Sequence, residues 1–266
     1  MNYRLIALDV DGTLLNDNHE LTPRVAAAVR EAARQGAEIV ICTGRGSTSA
    51  LGVLRELGLQ GTMITHNGAS IVDSETREVI HDTAISHELA RRYMSFLQER
   101  GIHFDLNTAF DLFVEEMNEE AAAMYEHLLA QPIRRSFAEA LPEPLVKMSI
   151  YAPKPVLDTV EIEWHSWTHE LQTIRSGDYF IDVQHPKASK GQALRWLAEQ
   201  RGIARESVLA MGNYYNDMEM LEYAGRGVAM DNSPAEVKAA ADEVTVSNNE
   251  DGVAVVLERL AIKTAQ

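Results

Sequence analysis

Leu5-Ile6-Ala7-Leu8-Asp9-Val10-Asp11-Gly12-Thr13-Leu14-Leu15 decides the fold, because a short apolar run ends there abruptly in two carboxylates. Residues 5 to 8 read as a strand buried on both faces, as at the centre of a parallel sheet. Ligands of such sheets bind beyond the carboxyl ends of the strands, so Asp9 and Asp11 are expected at a functional rim. Two nearby carboxylates followed by the flexible Gly12 can serve one divalent cation through a side chain and a neighbouring carbonyl. Mg²⁺ suits such a site, since it takes a few oxygen ligands and keeps waters or phosphate oxygens for the rest. At this point an ordinary strand end and turn explains Asp and Gly equally well. A helix-loop-helix calcium site does not, because its loop needs a further ligand and then Gly where this chain has Thr13 and Leu14.

Outward from this stretch the grammar is that of alternating strands and helices. Thr22-Pro23 reads as an N-cap and first-turn proline, with Val25, Val29 and Ala32 on one face and Gly36 as the stop. Residues 38–43 form a second buried strand, and a right-handed crossover puts Thr43-Gly44-Arg45 on the same rim as Asp9. Ser47 is expected to cap the next helix; residues 62–65 make a third strand running into His66-Asn67-Gly68, and residues 70–82 a hairpin.

From about Ala84 the pattern changes. Ser86 caps a helix carrying Leu89, Tyr93, Phe96 and Leu97, and then Ile102, Phe104 and Leu106, and Leu112 and Val114, alternate with polar residues as in half-solvated strands. A helix from Asn118, a strand over 146–151, a helix bearing Val156, Val160, Trp164 and Trp167, and two further strands suggest an antiparallel sheet covered on one face. The first grammar resumes at Lys190-Gly191, with strands over 207–211, 227–230 and 243–246 and a helix capped by Ser233-Pro234. The expected fold class is α/β: a Rossmann-like doubly wound core formed by residues 1–83 and 186–266, interrupted by an inserted α+β cap domain over 84–185.

Length and composition agree with this. At 266 residues, 45% hydrophobic and 24% charged, the chain has ordinary globular composition and room for a sizeable core. A net charge of -16 argues against a general affinity for nucleic acid or an anionic membrane, so no nucleic-acid and no membrane partner is expected. Cys42 is the single cysteine; it excludes an intramolecular disulfide, points to a reducing compartment and reads as a small buried hydrophobe. Met1-Asn2-Tyr3-Arg4 leads directly into the first strand, and no apolar run reaches the ~20 residues of a membrane span, so a cytoplasmic location is expected.

Four motifs fall at strand ends or helix starts of the core: Asp-x-Asp-x-Thr at 9–13, Thr-Gly-Arg at 43–45, Lys-Gly at 190–191 and Asn-Asp at 216–217. Singly, each has a bland reading as a cap, a solvated lysine or a turn. Together they supply what phosphoryl transfer needs: a carboxylate nucleophile, a cation to offset anion repulsion, and fixed donors for the equatorial oxygens. The chain resembles the haloacid dehalogenase-like (HAD) phosphohydrolases along its whole length, in particular the Cof-type (IIB) sugar-phosphatase-like subgroup with a large inserted cap.

That resemblance implies a Mg²⁺-dependent phosphatase acting on a small phosphorylated metabolite, a sugar phosphate or phosphorylated cofactor, through an aspartyl phosphate. Asp9 matches the nucleophile and Asp11 the general acid and base, roles the residues alone do not assign. Thr43, Gly44, Lys190 and Asn216 match phosphate contacts, Asn67 lies beside them, and Asp9, Asp11, Asn213 and Asp217 match the metal positions. The chain departs from the subgroup pattern in one place: Asn213 stands where an Asp ligand is usual and removes a full negative charge. Arg45 is either a further cation of the site or an exposed loop residue.

Competing readings are a phosphomutase of the same superfamily and a phosphometabolite-binding protein with little turnover. A two-component receiver keeps its phosphoacceptor on the third strand, where this chain has Thr62 to Thr65 and no Asp. His165 and His169 have metal-binding spacing without an evident third ligand, and a solvated helix face is the expectation there. The expected assembly is a monomer or weak homodimer.

Overall fold

In the computed structural model, which describes residues 3–127, 130–167 and 170–264, every residue of the first strand, β1 (Leu5–Leu8), is buried. The chain continues through α1 (Pro23–Arg34), β2 (Glu38–Cys42), α2 (Ser47–Leu57), β3 (Thr62–Thr65), β4 (Ser70–Asp73) and β5 (Val79–Asp82). It then runs through α3 (His87–Glu99), β6 (His103–Asn107), β7 (Leu112–Val114), α4 (Glu119–His127), β8 (Ile133–Arg134), β9 (Lys147–Tyr151), α5 (Lys154–His165), β10 (Gln172–Gly177) and β11 (Phe180–Gln184). The last stretch comprises α6 (Lys190–Gln200), β12 (Val208–Gly212), α7 (Met218–Tyr223), β13 (Arg226–Ala229), α8 (Ala235–Ala240), β14 (Glu243–Val244) and α9 (Gly252–Thr264). Two compact units result, one up to His81 and from Ala188 onward, the other Asp82–Lys187.

The first unit is built on an 8-stranded sheet in the order β14-β13-β12-β1-β2-β3-β4-β5. Strands β14 to β3 run parallel, while β4 turns back antiparallel on β3. Their apolar side chains meet those of α6 and α7 in one continuous core that contains Leu5, Ala7, Val40, Leu194, Leu197 and Met220. Thr22 caps α1 by accepting from the Val25 N–H, as its position before proline suggests. Ser47 does not cap α2. Gly46 holds that position, and the Ser47 hydroxyl lies 2.8 Å from Thr65 Oγ1, tying the helix to β3 instead. Ser233 likewise leaves α8 uncapped; the helix starts after Pro234 without a side-chain bond. Cys42 is fully buried, and that burial pushes its thiol well above the ordinary range.

The second unit carries a 6-stranded sheet in the order β10-β11-β9-β6-β7-β8, antiparallel except for the β7–β8 edge. One face bears Phe104, Leu106, Met148, Ile150, Ile181 and Val183 and packs on α3 and α5 through Tyr93, Phe96, Leu97, Leu157, Val160 and Trp164. Val156 points outward, not into this core, and Trp167 lies just past the end of α5, packed on Tyr93 and Phe96. His165 is exposed and its Nδ1 lies 2.8 Å from the Glu161 carbonyl; His169 lies outside the described residues.

The alternation along β6 predicted a solvated polar face, and this expectation fails. Asp105 and Asn107 are buried, because α4 packs on that side at the β7 end through Ala121 and Tyr125. Tyr125 Oη donates to Asp105 Oδ2 (2.9 Å), Asn107 Nδ2 donates to Asp105 Oδ1 (2.6 Å), and His103 Nε2 lies 2.8 Å from the same Tyr125 hydroxyl. In the next cross-strand positions Ser149 donates to Asp182 at 2.8 Å, with Lys147 3.5 Å from the same carboxylate. Alternation was legible, but not what would cover the polar side.

Burial raises the Asp105 carboxyl from its ordinary 3.8 to about 6, against the lowering effects of Lys147, Tyr125 and Asn107. A raised acid favours the protonated fold, so its contribution to stability is full below about 3.8 and lost as pH rises through about 6. Asp105→Asn should therefore gain on the parent by roughly 2–3 kcal/mol between about pH 4 and about pH 7. Urea unfolding followed by Trp164 and Trp167 fluorescence in a Trp196→Phe background measures this. A parent-to-variant difference that does not change with pH contradicts it.

Candidate active site

Four strand ends of the first unit deliver side chains to one edge of the sheet. Asp9 follows β1, Thr43 follows β2, His66 and Asn67 follow β3, and Asn213 follows β12. Asp9 is buried, and its Oδ1 accepts from Lys190 Nζ at 2.7 Å. Lys190, the first residue of α6, is 1% exposed and donates equally closely, 2.7 Å, to Asp217 Oδ1. Ser189 sets the helix start by accepting from the Gln192 N–H.

One ammonium thus serves two buried carboxylates. Burial first, and then the charge of Asp217, raise the Asp9 carboxyl to about 6 although Lys190 opposes the shift. For Lys190 burial alone acts to lower the pKa, but the charges and hydrogen bonds of Asp217 and Asp9 outweigh it and push it upward, so the ammonium stays charged. The other oxygen of Asp217 accepts from the backbone N–H of Asn213 (2.9 Å) and of Tyr214 (3.1 Å). Asp217 is therefore committed to Lys190 and to shaping its own loop, and does not present a free oxygen pair to a cation.

Asp11 sits in a different environment. Its side chain is 45% exposed and accepts from Arg45, with Nε at 2.8 Å in a two-pronged ion pair, and His19 Nδ1 lies 3.6 Å away. Arg45 belongs to the site, then, and is not a free loop cation. His19 is an addition that the sequence did not single out, as is Asn232, whose Nδ2 donates to the Gly12 carbonyl at 2.8 Å. Their signal was weak, since each is a polar residue in a loop, and Asn232 lies 220 positions from its partner Gly12.

Thr43 is fully buried, and its Oγ1 accepts from the Arg45 N–H at 3.1 Å. A Cβ on Gly44 would lie 2.8 Å from Asn67 Oδ1, so a side chain here would displace the Asn67 amide. Asn67 adopts the left-handed conformation (φ 54°), between His66 (φ 50°) and Gly68 (φ 93°), and its Oδ1 also accepts from Asn216 Nδ2 at 2.9 Å. Three consecutive left-handed residues are costly, and such strain clusters at functional sites. A side chain on Gly68 would meet the Ser189 carbonyl oxygen at 2.1 Å, so this turn presses directly on the residue before Lys190.

Asn213 lies across the turn after β1. The end of its amide that faces this turn lies 3.0 Å from Asp11 O, 3.1 Å from Asp9 Oδ2 and 3.3 Å from Thr13 Oγ1; as oxygen it accepts from the Thr13 hydroxyl, and as nitrogen it donates to the other two. Among the described residues no three or more His, Cys, Asp or Glu side chains form a group that could hold a metal. The donor set around Asn213 nonetheless suits Mg²⁺, which needs only one or two carboxylates when phosphate and water complete its shell.

A parallel sheet with a lysine-bonded Asp-x-Asp pair at its edge defines a class of phosphoryl-handling α/β enzymes. Residues 6–257 match the family described as haloacid dehalogenase-like hydrolase, and the chain belongs to that family. It is 32% identical over 284 residues to phosphatase YwpJ of Bacillus subtilis (strain 168), covering 97% of this chain and 99% of that one. It is also 30% identical over 256 residues to 5-amino-6-(5-phospho-D-ribitylamino)uracil phosphatase YcsE of the same organism, covering 96% and 94%. Among solved structures, the HAD subclass IIB sugar phosphatase BT4131 superposes with a TM-score of 0.80 at 28% identity, covering 97% of this chain and 99% of that one. Family and relatives together make the chain a phosphatase.

Lys190→Met leaves two carboxylates buried without their cation. Breaking a buried pair in this way costs about 3–5 kcal/mol. Urea denaturation should show a loss of that size, and a loss below about 1 kcal/mol would mean that the pair is not shielded as described.

Proposed function

We propose that this haloacid dehalogenase-like phosphatase hydrolyses a small phosphorylated metabolite, a sugar phosphate or phosphorylated cofactor, with Mg²⁺ and through an aspartyl phosphate on Asp9. The observation that carries the reading is the contrast between two carboxylates two residues apart: Asp9 buried and fixed by Lys190, Asp11 exposed and paired with Arg45. Environments that differ in this way suit different roles.

In the first step an Asp9 oxygen attacks phosphorus and the bond to the leaving oxygen breaks, with Asp11 giving its proton to the departing alkoxide. In the second, Asp11, now a carboxylate, takes a proton from water, which attacks phosphorus and restores free Asp9 with release of inorganic phosphate. Thr43, the Gly44 backbone, Asn216 and Lys190 are assigned to the equatorial oxygens. Asp9, the Asp11 carbonyl and Asn213 are assigned to the cation, with Asp217 acting on it through Lys190 and the loop. Bound Mg²⁺ supplies the positive charge that lets an anionic nucleophile approach an anionic ester.

Support for the substrate class comes from the relatives, one named for a phosphorylated ribitylaminouracil and one for a sugar phosphate. Choice among leaving groups is assigned to the inserted unit. A cytoplasmic setting fits the lone buried Cys42, and no described helix is long and apolar enough to cross a membrane.

Asp9→Asn should abolish turnover while leaving the fold intact, because an amide cannot form the acyl phosphate. A screen of phosphorylated metabolites for released phosphate, followed by the variant on the best substrate, is the measurement; turnover within about tenfold of the parent sinks the mechanism. The second reading, a metabolite-binding protein with little turnover, is favoured by the neutral Asn213. It would show neither burst nor steady-state phosphate from any substrate that binds.

A further inference from the structure

Asp11 stands in a turn that two later loops hold from outside. On one side of it the Val10 carbonyl accepts from the N–H groups of Thr13 (3.3 Å), Leu14 (3.0 Å) and Leu15 (3.0 Å), which closes the turn on itself. On the other side the Gly12 carbonyl accepts from Asn232 Nδ2 at 2.8 Å. Asn232 follows β13, and its Oδ1 accepts from the backbone N–H of Asn248 at 3.2 Å. Asn248, which follows β14 and is 3% exposed, donates from Nδ2 to the Leu15 carbonyl (3.1 Å) and to Asp17 Oδ1 (3.0 Å). Asn249 completes the series: its Nδ2 donates to Asp17 Oδ2 at 2.8 Å, and its Oδ1 accepts from the Asp17 N–H at 3.0 Å.

The three amides have one sensible orientation each, since every Nδ2 meets a carbonyl or a carboxylate, and the Oδ1 atoms of Asn232 and Asn249 meet backbone N–H groups. Asparagine is the residue type that this place requires. Its short side chain donates and accepts at once, whereas aspartate would set oxygen against the Gly12 and Leu15 carbonyls and add negative charge close to Asp9 and Asp11. None of the three is assigned to the phosphate or to the cation.

We propose that Asn232, Asn248 and Asn249 form a brace that positions Asp11 for proton transfer by pinning the chain behind it at Gly12, Leu15 and Asp17. They are positioning residues and touch no substrate. The inference rests on the reading of Asp11 as acid in the first step and base in the second. Displacing a reacting group by about 1 Å can cost on the order of a hundredfold in rate, so a turn released at Gly12 is felt at Asp11.

A brace that acts through Asp11 has a kinetic consequence that general loosening of the site lacks. The 4-nitrophenolate ion leaves without a proton, whereas phenolate, the anion of an acid of pKa about 10, leaves better with one. Transfer of phosphate from 4-nitrophenyl phosphate to Asp9 therefore bypasses Asp11, and hydrolysis of the aspartyl phosphate still needs it. Removing the brace should slow the first step for the poor leaving group and the second step for both.

Steady-state and burst kinetics of the parent, Asn232→Ala and Asn249→Ala with phenyl phosphate and 4-nitrophenyl phosphate, at saturating MgCl₂, test this. Both side chains are exposed, so their truncation leaves the buried core untouched. For Asn232→Ala, kcat/KM should fall at least about tenfold with phenyl phosphate and stay within about threefold with 4-nitrophenyl phosphate. With the latter, kcat should fall about tenfold behind a burst of nitrophenolate stoichiometric with enzyme, and Asn249→Ala should move in the same direction by less. Proportional losses on both esters without a burst would overturn the proposal, as would unchanged kinetics. Added to Asp11→Asn, Asn232→Ala should cost less than about twofold more, and a further tenfold loss would mean that it acts elsewhere. Full activity of Asp11→Asn would remove the reading of Asp11 and this inference with it; an impaired Asp11→Asn beside an unimpaired Asn232→Ala would remove the brace alone.

Discussion

Lys190 brings its ammonium within 2.7 Å of a carboxylate oxygen on each side, Asp9 on one and Asp217 on the other, in surroundings almost closed to solvent. A charge so placed is tolerated only because its partners are charged and close. The arrangement joins parts of the chain that are far apart: Asp9 ends the first strand, Lys190 opens a helix 181 positions later, and Asp217 lies in the loop after β12. Its geometry is fixed from outside as well. The turn at Gly68 leaves no room for a Cβ against Ser189, so the start of α6 can approach the sheet edge only because that residue is glycine. The same Asp217 then holds two backbone N–H groups of the loop that carries Asn213. Loop shape and charge balance are therefore consequences of one buried cluster.

The two carboxylates of the first turn are differentiated by their surroundings. Asp9 is held by Lys190 at 2.7 Å, and burial makes its ionisation harder. Asp11 points toward solvent, where Arg45 and His19 meet it and water can exchange. A nucleophile must be held in one orientation, whereas a group that gives and takes protons must reach both a leaving oxygen and a water. Strand geometry alone provides this division: Asp9 still lies in the line of β1, and Asp11 comes after the chain has begun to turn toward Gly12, whose φ of 78° completes it.

Hydrophobic runs and caps of local origin were legible in the sequence. Buried runs at 5–8, 38–42 and 208–212 became neighbouring parallel strands, and Thr22 and Ser86 capped the helices they precede. Signals that depend on distant partners were not. Ser47 looks like a cap but has Thr65 available across the β3 edge, and Asp105 and Asn107 look solvated until α4 brings Tyr125 over them. Arg45 is ambiguous in the sequence because its partner Asp11 is 34 positions away. The site's residue types could be named from the order of motifs. The pairing among them, especially Lys190 shared by Asp9 and Asp217, follows from packing that a linear pattern does not encode.

Charge at this edge also explains why a divalent cation is needed on the proposed reading. Among the described residues Asp9, Asp11 and Asp217 are paired with the cations Lys190 and Arg45, with His19 beside Asp11, and both cations are already engaged by those carboxylates. The chain as a whole carries a net charge of -16, so no general positive field draws in a phosphate ester. A phosphate dianion entering such a place meets a deficit of positive charge, and Lys190 cannot turn fully to it without abandoning a buried partner. A divalent ion reverses the sign of the local balance. Here the neutral residue at 213 has a compensating effect: a fourth carboxylate beside Asp9 would deepen the deficit, whereas an amide adds no charge and lies within hydrogen-bond distance of Thr13. On the proposed reading, a neutral side chain at 213 therefore lowers the charge repulsion of this edge at the expense of charge offered to the ion.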